Sequence, residues 1–496
     1  MLLRGRASKK RQKSGVLLPL SSLPDKYGIG SLGDSAYIFA DFLKSCNQSY
    51  WQLLPLVPLG KGNSPYSTTS SFAGEILYID LDELMKNGLL SSDDINIPEF
   101  PENTDYKLVR RFKLPLLKKA AENFDIDNKK FLEFRKENNY WLRDYALFMA
   151  IKECYCGAPF NNWDDGLKYR LPDALKEFEE NHTEEILFYE ITQFLFYSQF
   201  EKFKAYTSSI GLRLIGDIPF YVSFDCADVW AHPDCFKLGR DMTPILVAGV
   251  PPDIFSADGQ LWGNPIYDWD YQKKSGYSWW KQRLSHTANM YDVIRIDHFR
   301  AFADYYAIPY GSKDAKNGNW ERGVGKQFFD ALAPILKGTH IIAEDLGNES
   351  PELDKLMKET GFPNMKILQF AFSSNLKNPF LPKNFKRNCV CYTGTHDNDT
   401  TLGWYNKATK HERLLFDKLV LSEPNASPVL SLISYGMKSK ADTVIIPFPD
   451  YLELDSHARI NTPGTEYGNW EWRFRSDILT AELCDLIKEL SKKRNM

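Results

Sequence analysis

An α/β fold, a (β/α)8 TIM barrel with large insertions after its second and third strands, is what the sequence predicts, on three observations. Eight short, apolar, β-branched runs are spread along the chain, each four to seven residues long and ending in a polar or glycine-rich loop. Helical patterns separate most of them. The two longest gaps each follow a run, so in a barrel they rise from the C-terminal face, where such folds carry their active sites.

The runs lie at 15–20, 51–56, 212–218, 293–297, 340–345, 365–370, 390–393 and 443–447. Each has the length expected of a buried parallel strand. A helical pattern at 34–45 follows the first run. Another at 350–360 follows the fifth, with Ser350 placed to cap it and Pro351 at its first turn. Roughly 150 residues separate the second and third runs, with charged helical stretches at 105–123, 127–153 and 183–207. About 75 residues, rich in Pro, Gly and Trp, separate the third and fourth. This predicts one catalytic domain over 15–496, with inserted subdomains at about 58–210 and 225–290, behind a flexible basic arm at 1–14. No internal repeat or low-complexity linker divides it.

Composition narrows the function. The 496 residues carry 61 basic and 65 acidic side chains, a net charge of −4, so no global field draws nucleic acid or an anionic membrane. Six basic and no acidic residues fall in 1–14, but no apolar stretch follows, which argues against a secretory signal. A mobile basic arm is expected there, with a transit-peptide remnant as the other reading. No run of 18 or more apolar residues predicts a membrane span, and a cytoplasmic protein is expected. The eight cysteines form no CxxC pair and are read as buried thiols in a reducing compartment. No Cys/His cluster at ligand spacing suggests a metal. A GxGxxG match at 28–33 stands seven residues beyond the nearest apolar run, too far for a dinucleotide turn, so no cofactor is implied.

Three segments carry the chemistry. In DVIRIDHFR (292–300), strand alternation puts Arg295 and Asp297 on one face and Ile294 and Ile296 on the other. An Asp beside a fixed Arg stays ionised, as a carboxylate nucleophile must. In HIIAEDLG (340–347), Glu344 and Asp345 point opposite ways, so one of them faces the barrel axis, where apolar walls favour a proton donor. In YTGTHDNDT (392–400), His396 and Asp397 can together grip vicinal sugar hydroxyls. Taken singly, these would be a structural ion pair, a capping acid and a polar turn. Together they put an acid at the end of each of three predicted barrel strands. Two carboxyls flanking a bond, with a third holding substrate, is the toolkit of glycoside chemistry.

That constellation resembles the α-amylase clan, with its R-x-D, Glu and H-D motifs. The closer resemblance is to the amylomaltases, the 4-α-glucanotransferase or disproportionating-enzyme family. It is carried by SGVLLPLSSLP (14–24), YGIG (27–30), YWQLLPL (50–56), SPY (64–66), GDIPFYV (216–222), AGVPPD (248–253), QLWGNP (260–265) and NTPGT (461–465), in that order. It implies transfer of α-1,4-glucan segments between maltodextrin donor and acceptor chains by a retaining double displacement. Asp297 would be the nucleophile, Glu344 the acid/base and Asp397 the transition-state stabiliser. Arg295 would orient Asp297, His396 would bind sugar beside Asp397, and Asp217 would support the sugar at the cleavage point. Tyr66 would stack on that sugar, with Ser64 nearby. A mobile loop at 248–262 would place Asp253, Gln260 and Trp262 near bound glucan, and Asn461 would lie on the donor side. The chain departs from the family pattern at GEIL (74–77), where many members have Gly-Asn-Pro, and at Trp404-Tyr405, where a Trp pair is frequent. The rival readings are a hydrolase using the same acids and a sugar-binding protein on an inactive barrel.

Overall fold

The computed structural model describes residues 12–252, 257–347, 350–423 and 425–495. Eight parallel strands close a barrel: β1 (Lys13–Leu17), β2 (Tyr50–Gln52), β3 (Arg213–Ile218), β6 (Val293–Ile296), β9 (His340–Ala343), β10 (Asn364–Ile367), β11 (Cys389–Tyr392) and β12 (Thr443–Pro447). They are neighbours in that order, and β12 returns to pair with β1. Every predicted run supplies one of them. The sixth run stops short as a strand, because residues 368–372 turn into a 3-10 helix at the barrel rim.

The register sets what meets at the mouth. Asp217 of β3 is the Cα partner of Arg295 of β6, and Ile296 of β6 is the partner of Ala343 of β9. The residues that follow, Asp297 and Glu344, therefore leave neighbouring strands at one level. Beneath them Ile294, Ile296, Ile341, Ile342 and Ala343 are buried.

Four expectations change. The arm ends earlier, because Lys13 and Ser14 are already paired with Thr443 and Val444 in β1; residues 1–11 lie outside the described ones. The first insertion, expected at 58–210, shares its last helix with the barrel. Helix Thr183–Ser209 packs against β3 and helix Asp34–Ser45 of the barrel and also, more extensively, against the insertion's helices Tyr106–Glu122 and Leu142–Cys154. Likewise helix Ser278–Met290 contacts β6, which ends the second insertion before residue 278. Amphipathic stretches flanking an insertion carry the same periodicity whether they cover the barrel or the insert, so pattern alone could not part them. Of the cysteines, Cys154 and Cys156 are exposed while the other six are buried, and all eight are free.

A second sheet was not foreseen. β4 (Leu246–Val250) and β5 (Gln260–Pro265) come from the excursion after β3, and β7 (Asp304–Pro309) and β8 (Asn319–Arg322) from one after β6. They form an antiparallel sheet ordered β5-β4-β7-β8. Its register shifts between Val247 and Gly249, where a Cβ on Gly249 would sit 2.2 Å from the Gln260 carbonyl oxygen. Only glycine allows that approach.

Candidate active site

A groove of about 1310 Å³ opens over the C-terminal ends of the barrel strands, with Arg295, Asp297, Glu344, His396 and Asp397 in its lining. Its floor is an ion-pair chain. Arg295, 3% exposed, donates from Nη1 to both Asp217 oxygens, at 2.7 and 2.6 Å, and from Nη2 to Asp297 Oδ1 at 2.8 Å. The Tyr66 hydroxyl donates to Asp217 Oδ2 at 2.8 Å. Burial pushes the Asp217 carboxyl above its usual range and Arg295 pulls it back. Asp217 is thus spent on holding Arg295 and Tyr66, whereas Asp297 keeps a partly open face.

Glu344 is held differently. Its Oε2 accepts from the His298 N–H at 2.8 Å, and its Oε1 from the Leu346 N–H at 2.7 Å. Among the described residues, no side chain of opposite charge pairs with it directly. Burial, and then the Asp297 charge, push its pKa up to about 8, against the opposing pull of Arg295 and the two N–H groups. A carboxyl in that range carries its proton at neutral pH. Asp345 points the other way, accepting from the Met365 N–H at 3.0 Å and from Asn364 Nδ2 at 3.2 Å, so it ties β10 to β9. His298 is left-handed (φ 48°), and this bend aims its N–H at Glu344.

The His396–Asp397 pair sits on a turn closed by Asn398, whose Oδ1 accepts from both the N–H and the hydroxyl of Thr395. His396 Nε2 lies 3.4 Å from Asp397 Oδ2, and Asn461 Nδ2 donates to Asp397 Oδ1 at 2.6 Å. The His396 ring stacks on Tyr66, with centroids 5.1 Å apart and planes 13° apart, and its Nδ1 is buried without a partner among the described residues. Ser64 lines the same groove and accepts from the Tyr66 N–H at 3.2 Å. The arrangement offers one paired carboxylate, one proton-bearing carboxyl and a third acid with a histidine, all around one space. That is glycoside chemistry.

The profile of the family described as 4-alpha-glucanotransferase matches residues 18–480. The chain belongs to the 4-alpha-glucanotransferase family. A 4-alpha-glucanotransferase of Clostridium butyricum is 41% identical over 482 residues, covering 95% of this chain and 98% of its own. One of Thermus thermophilus is 43% identical over 481 residues, covering 94% and 96%. Among solved structures, the amylomaltase from Streptococcus agalactiae in complex with acarbose aligns with a TM-score of 0.95 and 38% identity, over 98% of this chain and 99% of that one. The protein is a glycosyltransferase of the α-1,4-glucan type.

In this glucanotransferase the antiparallel sheet forms a wall of the groove, through Val250, Gln260, Trp262 and Trp320. Gln260 and Trp262 stand on β5, with Trp262 Nε1 donating to Gln260 Oε1 at 3.0 Å. The Trp262 ring meets the His298 ring edge-on at 4.9 Å. The stretch 248–262, expected as a mobile loop, has its flanks paired in β4 and β5. Asp253 falls at 253–256, outside the described residues. Several contributors went unsingled by sequence reasoning. Trp470 packs on both Tyr66 and His396, and Arg459 donates to the Asp397 and Asn461 carbonyls at 2.7 Å each. Trp470 lies just beyond the NTPGT stretch, and position gave its only signal. Among the described residues there is no group of three or more His, Cys, Asp or Glu that could hold a metal, and no helix is long and apolar enough to cross a membrane.

Proposed function

We propose that the enzyme disproportionates maltodextrins by a retaining double displacement in which Asp297 is the nucleophile and Glu344 the acid/base. The observation that carries this is the placement of Asp297 and Glu344 one residue beyond register partners on neighbouring strands. Adjacent strands lie about 4.8 Å apart, which suits the roughly 5–5.5 Å carboxyl separation of retaining enzymes. Asp297, tethered by Arg295, attacks the anomeric carbon while protonated Glu344 gives its proton to the departing 4-oxygen. This leaves a β-glucosyl ester on Asp297 and a shortened sugar free to leave. The ionised Glu344 then takes the proton from the 4-hydroxyl of an incoming chain, whose oxygen displaces Asp297 and restores the α-link.

Tyr66, braced by Asp217, and His396 hold the sugar at the cleavage point, and Asp397, steadied by Asn461, binds its hydroxyls as charge develops on the ring. Ser64 shapes the same end. Gln260 and Trp262 belong to the acceptor side, and the resemblance gives Asp253 a role with them. Trp262 lies against His298, whose N–H holds Glu344, and Glu344 is the group that serves the leaving and entering oxygens. Transfer outruns hydrolysis because this aromatic wall favours a sugar over water next to the ester. Acarbose, held by the Streptococcus agalactiae relative, is expected in this groove. Eight free cysteines suit a reducing compartment, and we place the enzyme in the cytoplasm.

Incubation with maltotriose tests the reading. Glucose together with maltopentaose and longer products is expected. Glucose and maltose without any longer product would instead make the protein a hydrolase.

A further inference from the structure

A second cleft, about 560 Å³, joins the main groove, sharing Tyr66, Ser67, Trp262 and Asn264 with it. It runs away from the catalytic carboxyls between two separate pieces of the insertions. One is the turn at 159–162 of the first insertion, and the other is Tyr310, at the end of β7. The mechanism above makes no use of it.

Its lining suits a neutral polyol. Tyr310 is 49% exposed and its ring lies 6.4 Å from that of half-buried Phe224, giving two aromatic surfaces at the cleft. The side-chain amides of Asn161 and Asn162 make no hydrogen bond among the described residues. The Ser223 hydroxyl, also in the lining, is buried and lacks a partner there too. The one charged lining residue, Asp225, is already engaged. It is paired with Lys152, and its other oxygen accepts from the Phe160 N–H at 3.1 Å. Unengaged amides and hydroxyls beside aromatic faces, with the charge neutralised, fit sugar rings better than an ionic ligand. The cleft meets the groove at Tyr66 and Ser67 and at Trp262 and Asn264, and Trp262, which lies against the His298 whose N–H holds Glu344, marks the edge by which an acceptor chain enters it.

We propose that this cleft is an extension of the acceptor site, holding the glucose units of an incoming α-1,4-glucan beyond those that contact Trp262. Tyr310 and Phe224 present ring faces to the sugars, and Asn161, Asn162 and Ser223 bind their hydroxyls. The inference rests on the acceptor side assigned under the proposed function. It makes the enzyme select long acceptors through contacts remote from the reacting bond. Glucose is too short to reach the cleft, whereas maltopentaose spans it.

The test compares two acceptors with one donor, maltoheptaose, using isotope-labelled glucose and isotope-labelled maltopentaose. In Tyr310→Ala, and separately in the double variant Asn161→Ala/Asn162→Ala, the ratio of KM for maltopentaose to KM for glucose is expected to rise about tenfold, the equivalent of about 1.4 kcal/mol. Tyr310→Phe, which keeps the ring face, should restore most of the ratio. An unchanged ratio in both variants overturns the proposal, and so does a parallel rise in both KM values, the mark of general damage. Absence of transfer to either acceptor by the unmodified enzyme would instead refute the proposed function, so the two failures are told apart.

Discussion

The floor of the groove and its antiparallel wall are built in opposite ways. The floor is made of strand ends, β3, β6 and β9, whose parallel register sets Asp217 level with Arg295 and, two residues farther along, Asp297 level with Glu344. Its charges are buried, apart from the half-open Asp297, and each has a named partner. The wall is assembled from two excursions that meet only in space, and it shows half-exposed rings: Trp262 at 38%, Trp320 at 43% and Tyr310 at 49%. The difference follows the work. Breaking a glycosidic bond needs groups fixed to within about half an ångström, which regular strands supply. Passing sugar chains of different length needs area and tolerance, which aromatic faces supply.

The contrast breaks most visibly at Asp297. Asp297→Asn keeps the shape and should keep the melting temperature, yet transfer from maltotriose should fall by about 10⁴-fold or more, read as initial rate. Should the variant retain transfer, the floor is not where the bond is broken.

Next in size is Glu344→Gln, with an expected loss of about 10²–10⁴-fold in transfer. In the unmodified enzyme kcat/KM should decline as pH rises through about 8, where Glu344 gives up the proton the leaving group needs. Stability carries the same signature. The folded enzyme keeps a proton that the unfolded chain loses near pH 4.5, so burial of Glu344 costs stability progressively from about pH 4.5 up to about 8. The urea midpoint of Glu344→Gln should therefore gain on that of the parent across this window and run parallel to it above.

Arg295→Ala leaves Asp217 and Asp297 without their shared cation. A loss of about 3–5 kcal/mol in unfolding free energy is expected by denaturant titration, since a buried partner is left uncompensated. The smallest effect belongs to the wall. Trp262→Ala should raise the ratio of hydrolysis to transfer about tenfold while stability stays within about 1 kcal/mol, as water gains access to the ester. A wall variant as damaging to stability as Arg295→Ala would erase the distinction between the two regions.

What could be read from the sequence divides along the same line. The barrel was legible because each strand is a contiguous apolar run and because R-x-D, ED and HD close three of them. Alternation also predicted that one of Glu344 and Asp345 faces the site, and the structure gives that place to Glu344 while Asp345 binds β10. The wall was not legible. β8 is short and polar, and the pairing of β7 with β4 is a contact between residues some 60 apart, which no local pattern encodes. Trp470 likewise reaches Tyr66 and His396 only through the closure of the barrel. The helices Thr183–Ser209 and Ser278–Met290 were seen as elements but given to the insertions, since helical periodicity does not say which core a face covers.

The most direct test of chemistry on the floor is to trap the ester. Glu344→Gln, incubated with α-maltotriosyl fluoride, a donor whose leaving group needs no proton, should accumulate an adduct of one maltotriosyl unit by intact-protein mass spectrometry. Proteolysis should then map it to the peptide bearing Asp297. An adduct on any other residue, or rapid turnover of the fluoride to a β-configured product with no adduct formed, would contradict the double displacement through Asp297.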